Sequence, residues 1–231
     1  MKDPAKKEKK PDFAHRLKNS GLVQAWLVLT LASCFGFALA GVQMTLGPTI
    51  EANKINETLE KAPELVLGKE NADKLAAQKQ RLEIIPRVIA VEKNGKKRFY
   101  NVYESRYQND LKGWVIKASG QGYADKIELL MGLDPGVETI TGLFIMDQKE
   151  TPGLGNKIIT KAWRNQFVDK TTTMPLAVVK TGAEKSNEID AVTGATISSK
   201  SVVAIINSAV SDLKKPLVAK PSLMKGDDNN G

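Results

Sequence analysis

The sequence predicts an α+β fold, in which a single N-terminal transmembrane helix is followed by a largely antiparallel sheet with helices packed to one side. Three observations support this prediction. An uncharged apolar stretch lies near the N-terminus, a series of β-rich runs separated by turn residues follows it, and an amphipathic helix comes last. Short turns join strands that pair antiparallel, and helices that come after the strands gather on one face of the sheet.

The apolar stretch has the length of a membrane span. No charged residue lies between Lys18 and Glu51, and residues 21–46 supply roughly the 20 apolar residues needed to cross a bilayer. The first 18 residues hold seven Lys or Arg against three Asp or Glu, a net charge of +4. By the positive-inside rule, this flank lies in the cytoplasm. We therefore predict a single-pass membrane protein whose remaining chain lies across the membrane. In a bacterium this means an inner-membrane protein whose remaining chain faces the periplasm.

A signal peptide is the alternative to a retained anchor. Ala38-Leu39-Ala40, followed by Gly41, resembles a signal-peptidase site. The apolar stretch is longer than the core of a typical signal peptide, however, and it continues past Gly41 without a break. Its length favours a retained anchor.

The same patterns divide the chain into five segments. We predict a basic cytoplasmic tail at 1–18, a transmembrane helix at 19–47, a helical neck at 48–85, a periplasm-facing domain at 86–214 and a polar tail at 215–231.

Two prolines are expected to set the helix boundaries in the neck. Pro48 ends or kinks the span, and a short amphipathic helix then stops before Pro63. A second, polar helix is expected at residues 71–81. The neck either lifts the domain off the membrane or offers a surface to a partner.

Six β-rich runs are expected in the domain. The first two, residues 87–93 and 98–105, are joined by Asn94-Gly95, which is a strong signal for a tight hairpin. The other runs lie at 112–119, 127–133, 137–147 and 176–180, with one helix at 157–168 and a last helix that opens at Thr196.

The composition excludes several kinds of chemistry. The chain has one cysteine, Cys34, and one histidine, His15, so disulfides, Cys-ligated clusters and Cys/His zinc sites lack ligands. The net charge of +8 is not gathered into a basic stripe with interleaved aromatics, which argues against nucleic-acid binding. Redox activity would need an organic cofactor.

A turn of small and hydroxyl-bearing residues, residues 190–199, precedes the last helix. Gly194 and Ala195 leave the backbone uncrowded, and Thr196 adjoins the unpaired amides of the first helical turn. Such amides, together with the helix dipole, form a seat for phosphate.

The same residues also permit a purely structural interpretation. Thr193, Ser198 and Ser199 can cap the helix, and Asp190 can supply a favourable charge near its N-terminus. The turn alone does not decide between capping and phosphate binding.

Residues 190–199, DAVTGATISS, resemble the flavinylation motif of the FMN-binding domain family. This family includes the G subunit of Rnf electron-transport complexes and the C subunit of the sodium-pumping NADH:quinone reductase. Its motif is an acidic residue, two spacers, Ser or Thr, Gly-Ala-Thr and a hydroxyl-rich helix start. The resemblance implies that Thr196 carries FMN through a phosphoester bond. It also implies that the surrounding turn binds the cofactor through Asp190, Thr193, Gly194, Ala195, Ser198 and Ser199.

A second motif, ETPGLG at residues 150–155, also matches this family. Taken alone, the segment could be an ordinary strand-to-helix connection, although its glycines would let the backbone approach a flat ligand. The resemblance makes five of its residues candidates for the flavin pocket: Glu150, Thr151, Gly153, Leu154 and Gly155. Family members often have a histidine just ahead of this motif, where this chain has Gln148-Lys149.

Two aromatic residues could border the flavin ring. Tyr123 and Trp163 lie near the motifs in the predicted fold, but aromatic residues at such positions are more often part of the core.

The resemblance implies a maturation enzyme. A threonine hydroxyl is a poor nucleophile, and we recognise no arrangement near Thr196, such as a paired His or a Lys–Ser pair, that would activate it internally. A separate flavin transferase that uses FAD is therefore expected to install the FMN.

The resemblance covers about residues 20–214 and implies a flavoprotein subunit that relays electrons within an Rnf-type, ion-translocating ferredoxin:NAD oxidoreductase. We expect a redox carrier that has other membrane subunits as partners, with no complete active site and no metal site of its own. Three alternatives remain open: the C subunit of the sodium pump, a membrane-anchored flavin-binding sensor or regulator, and a structural subunit whose motif only caps a helix.

Overall fold

The structure is a computed structural model that describes residues 21–93 and 95–219. The chain divides into two compact units, one up to Asn56 and one from Glu57 onward. The predicted tail at 1–18 lies outside the described residues, as does the part of the C-terminal tail after Ala219.

The first helix, α1, spans Gly21–Leu67 without interruption. It is long and apolar enough to cross a membrane. Neither Pro48 nor Pro63 ends it, so the helix stop predicted before Pro63 is wrong, and of the two outcomes predicted for Pro48 the end of the helix is excluded. A proline removes one helical hydrogen bond, but its fixed φ is compatible with a helix. The residues on both sides of each proline are helical here.

A second helix, α2, covers Lys69–Ala77. It confirms the polar helix expected at 71–81, although it begins two residues earlier and ends four residues sooner. Gly68 separates it from α1 and has a φ of 75°, in the left-handed region that glycine adopts readily. This residue explains why the two helices do not merge.

Five strands form an antiparallel meander in the order β1-β2-β3-β4-β5. Their bounds are Glu83–Lys93, Lys96–Tyr107, Asp110–Gln121, Lys126–Leu133 and Ile140–Asp147. The predicted first hairpin is confirmed, since Lys93 pairs with Lys96 across the turn. The sheet begins three residues before the predicted start of the domain.

The chain after β5 is irregular. The helix predicted at 157–168 is divided into a 3-10 turn at Gly155–Ile159, the short helix α3 at Lys161–Arg164 and a second 3-10 turn at Asn165–Phe167. Thr160, with φ −65° and ψ 139°, is extended and therefore interrupts the helix.

Two short strands lead to the last helix. β6, Ala177–Val179, confirms the sixth predicted run, and it pairs in parallel with β7, Glu188–Asp190, which the sequence did not predict. The last helix, α4, covers Thr196–Ala219. It starts at the predicted residue but runs through Pro216 and past the expected end at 214. Leu217 is buried, so this part of the predicted tail belongs to the core.

The larger core lies between the sheet and α4. Side chains of successive strand residues point to opposite faces, so Trp114 and Ile116 face α4 whereas Val115 faces away from it. The packing of α4 on one face confirms the predicted α+β arrangement.

The last turns of α1 cover part of the opposite face, through Ala62, Leu65 and Val66. The carbonyl of Leu65 accepts a 2.6 Å hydrogen bond from the Thr141 hydroxyl.

That carbonyl also lies against the paired residues Gly132 and Gly142, where any Cβ would clash with it. These contacts seat the end of α1 on the sheet, a feature that the neck prediction did not foresee.

Candidate functional site

The two sequence motifs, forty residues apart, lie against each other in the structure. A Cβ built on Gly155 would come within 2.9 Å of the Ser198 hydroxyl, and one built on Gly194 within 3.0 Å of the Leu154 side chain. The glycines therefore permit a close approach of the two loops. The sequence predicted both loops, and the structure brings them together.

Glu150 lies at the centre of this junction. Its carboxylate accepts a 2.5 Å hydrogen bond from the Ser198 hydroxyl and a 3.1 Å bond from the backbone N–H of Ala124. Both Glu150 and Ser198 are buried. The two side chains therefore hold the loops together from inside, and neither lies at the surface where a ring or phosphate would approach first.

The turn before α4 is fixed by its own hydrogen bonds. The N–H of Ala195 donates to the Val192 carbonyl at 2.9 Å, and Gly194 has a φ of 80°, which is the conformation that favours glycine at the third position of a tight turn. The Ser199 hydroxyl accepts from the Val192 N–H at 2.9 Å and donates to the Ala195 carbonyl at 3.1 Å. Ser199 is thus engaged within the turn.

Thr196 is the first residue of α4 and is half-buried, while Thr193 and Gly194 are exposed. The first amides of an α-helix have no intrahelical acceptor, and the helix dipole places partial positive charge there. An anion attached to Thr196 would meet these donors. Thr193 lies three residues before the helix and lacks this environment.

The ETPGLG loop is mostly at the surface. Thr151, Gly153 and Leu154 are exposed, and the Thr151 carbonyl accepts hydrogen bonds from the amides of Leu154, at 3.1 Å, and Asn156, at 3.3 Å. Gly153 has a φ of 76° with no atom within 4 Å of a Cβ built on it. The loop presents backbone and the Leu154 side chain to solvent.

Asn156 is a residue that the sequence interpretation missed. Its Oδ1 atom is buried and has no hydrogen-bond partner among the described residues. A buried acceptor without a donor is unfavourable, so an N–H group of a ligand would relieve it. Its position directly after the motif was the available signal.

Asp190 is engaged by the loop that precedes it. Its Oδ1 accepts a 2.9 Å hydrogen bond from the Ala183 amide, and its backbone carbonyl accepts one of 2.8 Å from the Trp163 indole. Trp163 is buried and packs edge-on against Phe167, with ring centroids 5.0 Å apart. Trp163 is therefore a core residue, and Asp190 orders the loop before β7.

The rim of the junction carries polar groups. Tyr123 is 64% exposed and adjoins Ala124, which contacts Glu150. A backbone hydrogen bond from Lys126, and then the nearby Lys149 ammonium, lower the pKa of Asp125 below its ordinary value. This rim is thus exposed and charged on one side of the buried carboxylate.

Gln148 stands where the family often has a histidine, and its side-chain oxygen accepts a 2.7 Å bond from the Glu150 amide. It fixes the start of the ETPGLG loop. Among residues 21–93 and 95–219, no group of three or more His, Cys, Asp or Glu could hold a metal ion.

Residues 122–211 match the model of the FMN-binding domain family. The chain is 35% identical over 188 residues to the G subunit of the Na⁺-translocating ferredoxin:NAD⁺ oxidoreductase complex from Acetobacterium woodii, which covers 80% of this chain and 86% of that protein. It is 28% identical over 127 residues to the C subunit of the Na⁺-translocating NADH-quinone reductase from Vibrio campbellii, covering 52% of this chain and 49% of that protein.

The fold is similar to that of NqrC from Shewanella oneidensis, with a TM-score of 0.56 and 18% identity over 73% of this chain and 98% of that one. The match to the Acetobacterium G subunit is both stronger in identity and longer than the match to the Vibrio C subunit. With both motif loops joined at the start of α4, the chain belongs to the family of G subunits of ion-translocating oxidoreductase complexes and contains its FMN-binding domain.

Proposed function

We propose that this chain is a membrane-anchored electron-relay subunit that carries FMN covalently on Thr196. The observation that supports the proposal most directly is the position of Thr196 at the first turn of α4, against the second motif of the same family. When bound, FMN can accept and release electrons singly or in pairs. The chain's own residues hold it and shape its surroundings.

Thr196 would hold the phosphate. A phosphodiester keeps one negative charge, and the free amides at the start of α4 can donate hydrogen bonds to it, each contributing roughly 1.5–3 kcal/mol. The sequence also suggested the hydroxyls of Ser198 and Ser199 as phosphate donors. Both are committed to protein acceptors, Glu150 and the Ala195 carbonyl, so the backbone amides take this role.

Attachment needs an external enzyme. The bond between the Thr196 oxygen and the FMN phosphorus forms as the pyrophosphate bond of FAD breaks, AMP leaves, and the hydroxyl proton passes to a base of the transferase. We assign this base to the transferase because His15, the one histidine of the chain, lies far from Thr196 in the sequence. The exposed turn at Thr193 and Gly194 gives such an enzyme access.

The exposed side of the loop junction would receive the ring. Leu154 offers an apolar contact, and Gly153 allows the backbone to approach closely because it carries no side chain. Tyr123 lies at the rim as a further aromatic contact. The unpaired Asn156 oxygen suits the N–H donor of the isoalloxazine, so the residues present fit the cofactor.

The proposed setting is an Rnf-type complex in a bacterial inner membrane. Residues 21–46 of α1 would span the bilayer, with the N-terminus in the cytoplasm and the FMN domain in the periplasm. The identity to the G subunit of a ferredoxin:NAD⁺ oxidoreductase favours this assembly over the sodium-pumping quinone reductase. Other membrane subunits would supply and remove the electrons.

The test is expression of the full chain with a flavin transferase, followed by denaturing electrophoresis and intact-mass measurement. We expect in-gel flavin fluorescence and one added FMN in the wild type and in Thr193→Val, and neither in Thr196→Val. Valine keeps the branched shape of threonine and removes only the oxygen, so folding should persist. Flavin retained in Thr196→Val and lost in Thr193→Val would move the site, and its absence from the wild type would refute the proposal.

A further inference from the structure

The central sheet contains a split. The ladder between β2 and β3 stops at Asn101↔Lys117. Beyond that point β2 continues to Lys96 beside β1 alone, and β3 continues to Gln121 beside β4 alone. Residues 96–100 and 118–121 therefore each have one edge that pairs with no strand among the described residues.

A groove of about 710 Å³ lies at this split. Six residues of α4 line its other side: Ile197, Lys200, Ser201, Ala204, Ile205 and Ser208. Ile197 directly follows Thr196 and is 56% exposed. The groove therefore runs from the proposed flavin attachment residue toward the β1–β2 hairpin.

The charged residues that line the groove are all basic: Arg98, Lys117 and Lys200, with no Asp or Glu among them. Arg98 lies 3.6 Å from the buried Asp212, yet its side chain is 55% exposed. Lys200 is exposed. The groove therefore favours an occupant with negative charge.

Unpaired strand edges bind other extended chains. They carry a row of backbone donors and acceptors that pairs readily with another extended chain, and peptides bind by adding a strand to such an edge. Here the unpaired edge of β3 lies in the basic groove. Backbone pairing favours an extended chain and the basic side chains favour an acidic one, so the same ligand satisfies both.

We infer that this groove receives an extended acidic segment of a neighbouring subunit, which pairs its backbone with β3 at residues 118–121 and places carboxylates near Lys200 and Arg98. The segment lies beside the first turns of α4, next to Thr196. This docking does not depend on the flavin and is expected of the apoprotein as well.

A synthetic peptide tests the inference directly. The probe is a fluorescein-labelled eight-residue peptide of alternating glutamate and valine, added to the full-length protein in detergent. We expect saturable binding by anisotropy that weakens as salt is raised, and slower hydrogen exchange of the amides at 118–121. The same peptide with lysine in place of glutamate, or with alternate amides N-methylated, should not bind.

Matched variants locate the binding. Ala204 and Ser211 are both exposed on α4, but only Ala204 lines the groove. Ala204→Trp should weaken peptide binding by about tenfold or more, while Ser211→Trp should leave it unchanged. Lys200→Glu should weaken it by about three- to tenfold, since an attraction becomes a repulsion, while the exposed Lys161→Glu has no effect.

Several results would overturn the inference. They are no binding, equal binding by the N-methylated peptide, or equal effects of the tryptophan variants at 204 and 211. Binding by the flavin-free Thr196→Val protein separates this inference from the proposed function, because each can fail while the other holds.

Discussion

The hydroxyl of Ser198 donates a 2.5 Å hydrogen bond to the carboxylate of Glu150, forty-eight residues earlier in the chain. Both side chains are buried. A buried carboxylate is stable only if its hydrogen bonds are made, so this pair ties the ETPGLG loop to the helix that begins at Thr196. The relative position of the two loops therefore depends on it.

Ser198→Ala should destabilise the domain by about 1–3 kcal/mol, because it leaves a buried carboxylate oxygen without its donor. Chemical denaturation followed by circular dichroism measures the loss. Ser211→Ala, at an exposed position of the same helix, is the control and should change stability by less than about 0.5 kcal/mol. Equal effects of the two variants would show that the Glu150 bond contributes nothing.

The glycines of the ETPGLG loop should respond differently to substitution. A Cβ on Gly155 would lie 2.8 Å from the Glu150 Cβ, so Gly155→Ala should cost about 1–3 kcal/mol by overpacking. Gly153 has open space around it, and asparagine tolerates its positive φ. Gly153→Asn should therefore keep stability and covalent flavin while it shifts the visible flavin spectrum. An unchanged spectrum would indicate that Gly153 does not face the ring.

Asp212 of α4 should make stability dependent on acid pH. Burial raises the pKa of Asp212, but hydrogen bonds from Lys93 and Tyr100, at 2.5 and 2.7 Å, outweigh burial and lower it below 3.8. A lowered native pKa contributes stability that is present above the ordinary value and is lost as pH falls through the native value.

Asp212→Asn should accordingly reduce stability at pH 7 by about 1–2 kcal/mol, a low figure because the Lys93 side chain is 42% exposed. Denaturant midpoints of the variant and the wild type should be measured between pH 7 and pH 2. The difference between the two midpoints should become smaller below about pH 4. A difference that stays constant across this range would exclude a charged role for Asp212.

Leu65 should be the residue that holds the end of α1 on the sheet. It is 5% exposed, and its truncation to alanine should cost about 2–5 kcal/mol. Leu59, which is 37% exposed on the same helix, provides the matched control, with an expected cost below about 1 kcal/mol. Thermal unfolding of both variants distinguishes them, and comparable losses would argue against docking through Leu65.

The orientation of the membrane span is open to a fusion test. A reporter that is active only in the periplasm, joined after Gly231, should be active, because the Lys-rich flank keeps the N-terminus in the cytoplasm. A reporter active only in the cytoplasm should be silent at the same position. The opposite result would reverse the topology and the proposed side of the flavin.

Sequence patterns predicted the parts of the fold that local chemistry decides. The hairpin at Asn94-Gly95, the sheet and the start of the last helix at Thr196 follow from turn residues and periodicity, and the structure confirms them. The same signals failed at Pro63, where a proline was expected to stop a helix that continues to Leu67. The packing of Leu65 against the sheet stabilises that turn and is not visible locally.

The candidate site also has features that the sequence predicted and features that it could not predict. The two motifs could be predicted because each is contiguous in the sequence. The hydrogen bonds between Glu150 and Ser198, and between Asp190 and Ala183, could not be predicted, because the tertiary fold determines these partners. β7 escaped prediction because three residues are too few to show a period.

The carbonyl of Leu65 can reach its place only after β4 and β5 have paired, because Gly132 and Gly142 face it from different strands. Leu65 leaves the ribosome some seventy-five residues before Gly142. The earliest part of this unit therefore cannot dock fully until β5 has been made, and contacts so distant in sequence form slowly. Until β5 emerges, the apolar end of α1 remains uncovered, which is the interval in which a nascent chain of this kind is most open to chaperones and proteases.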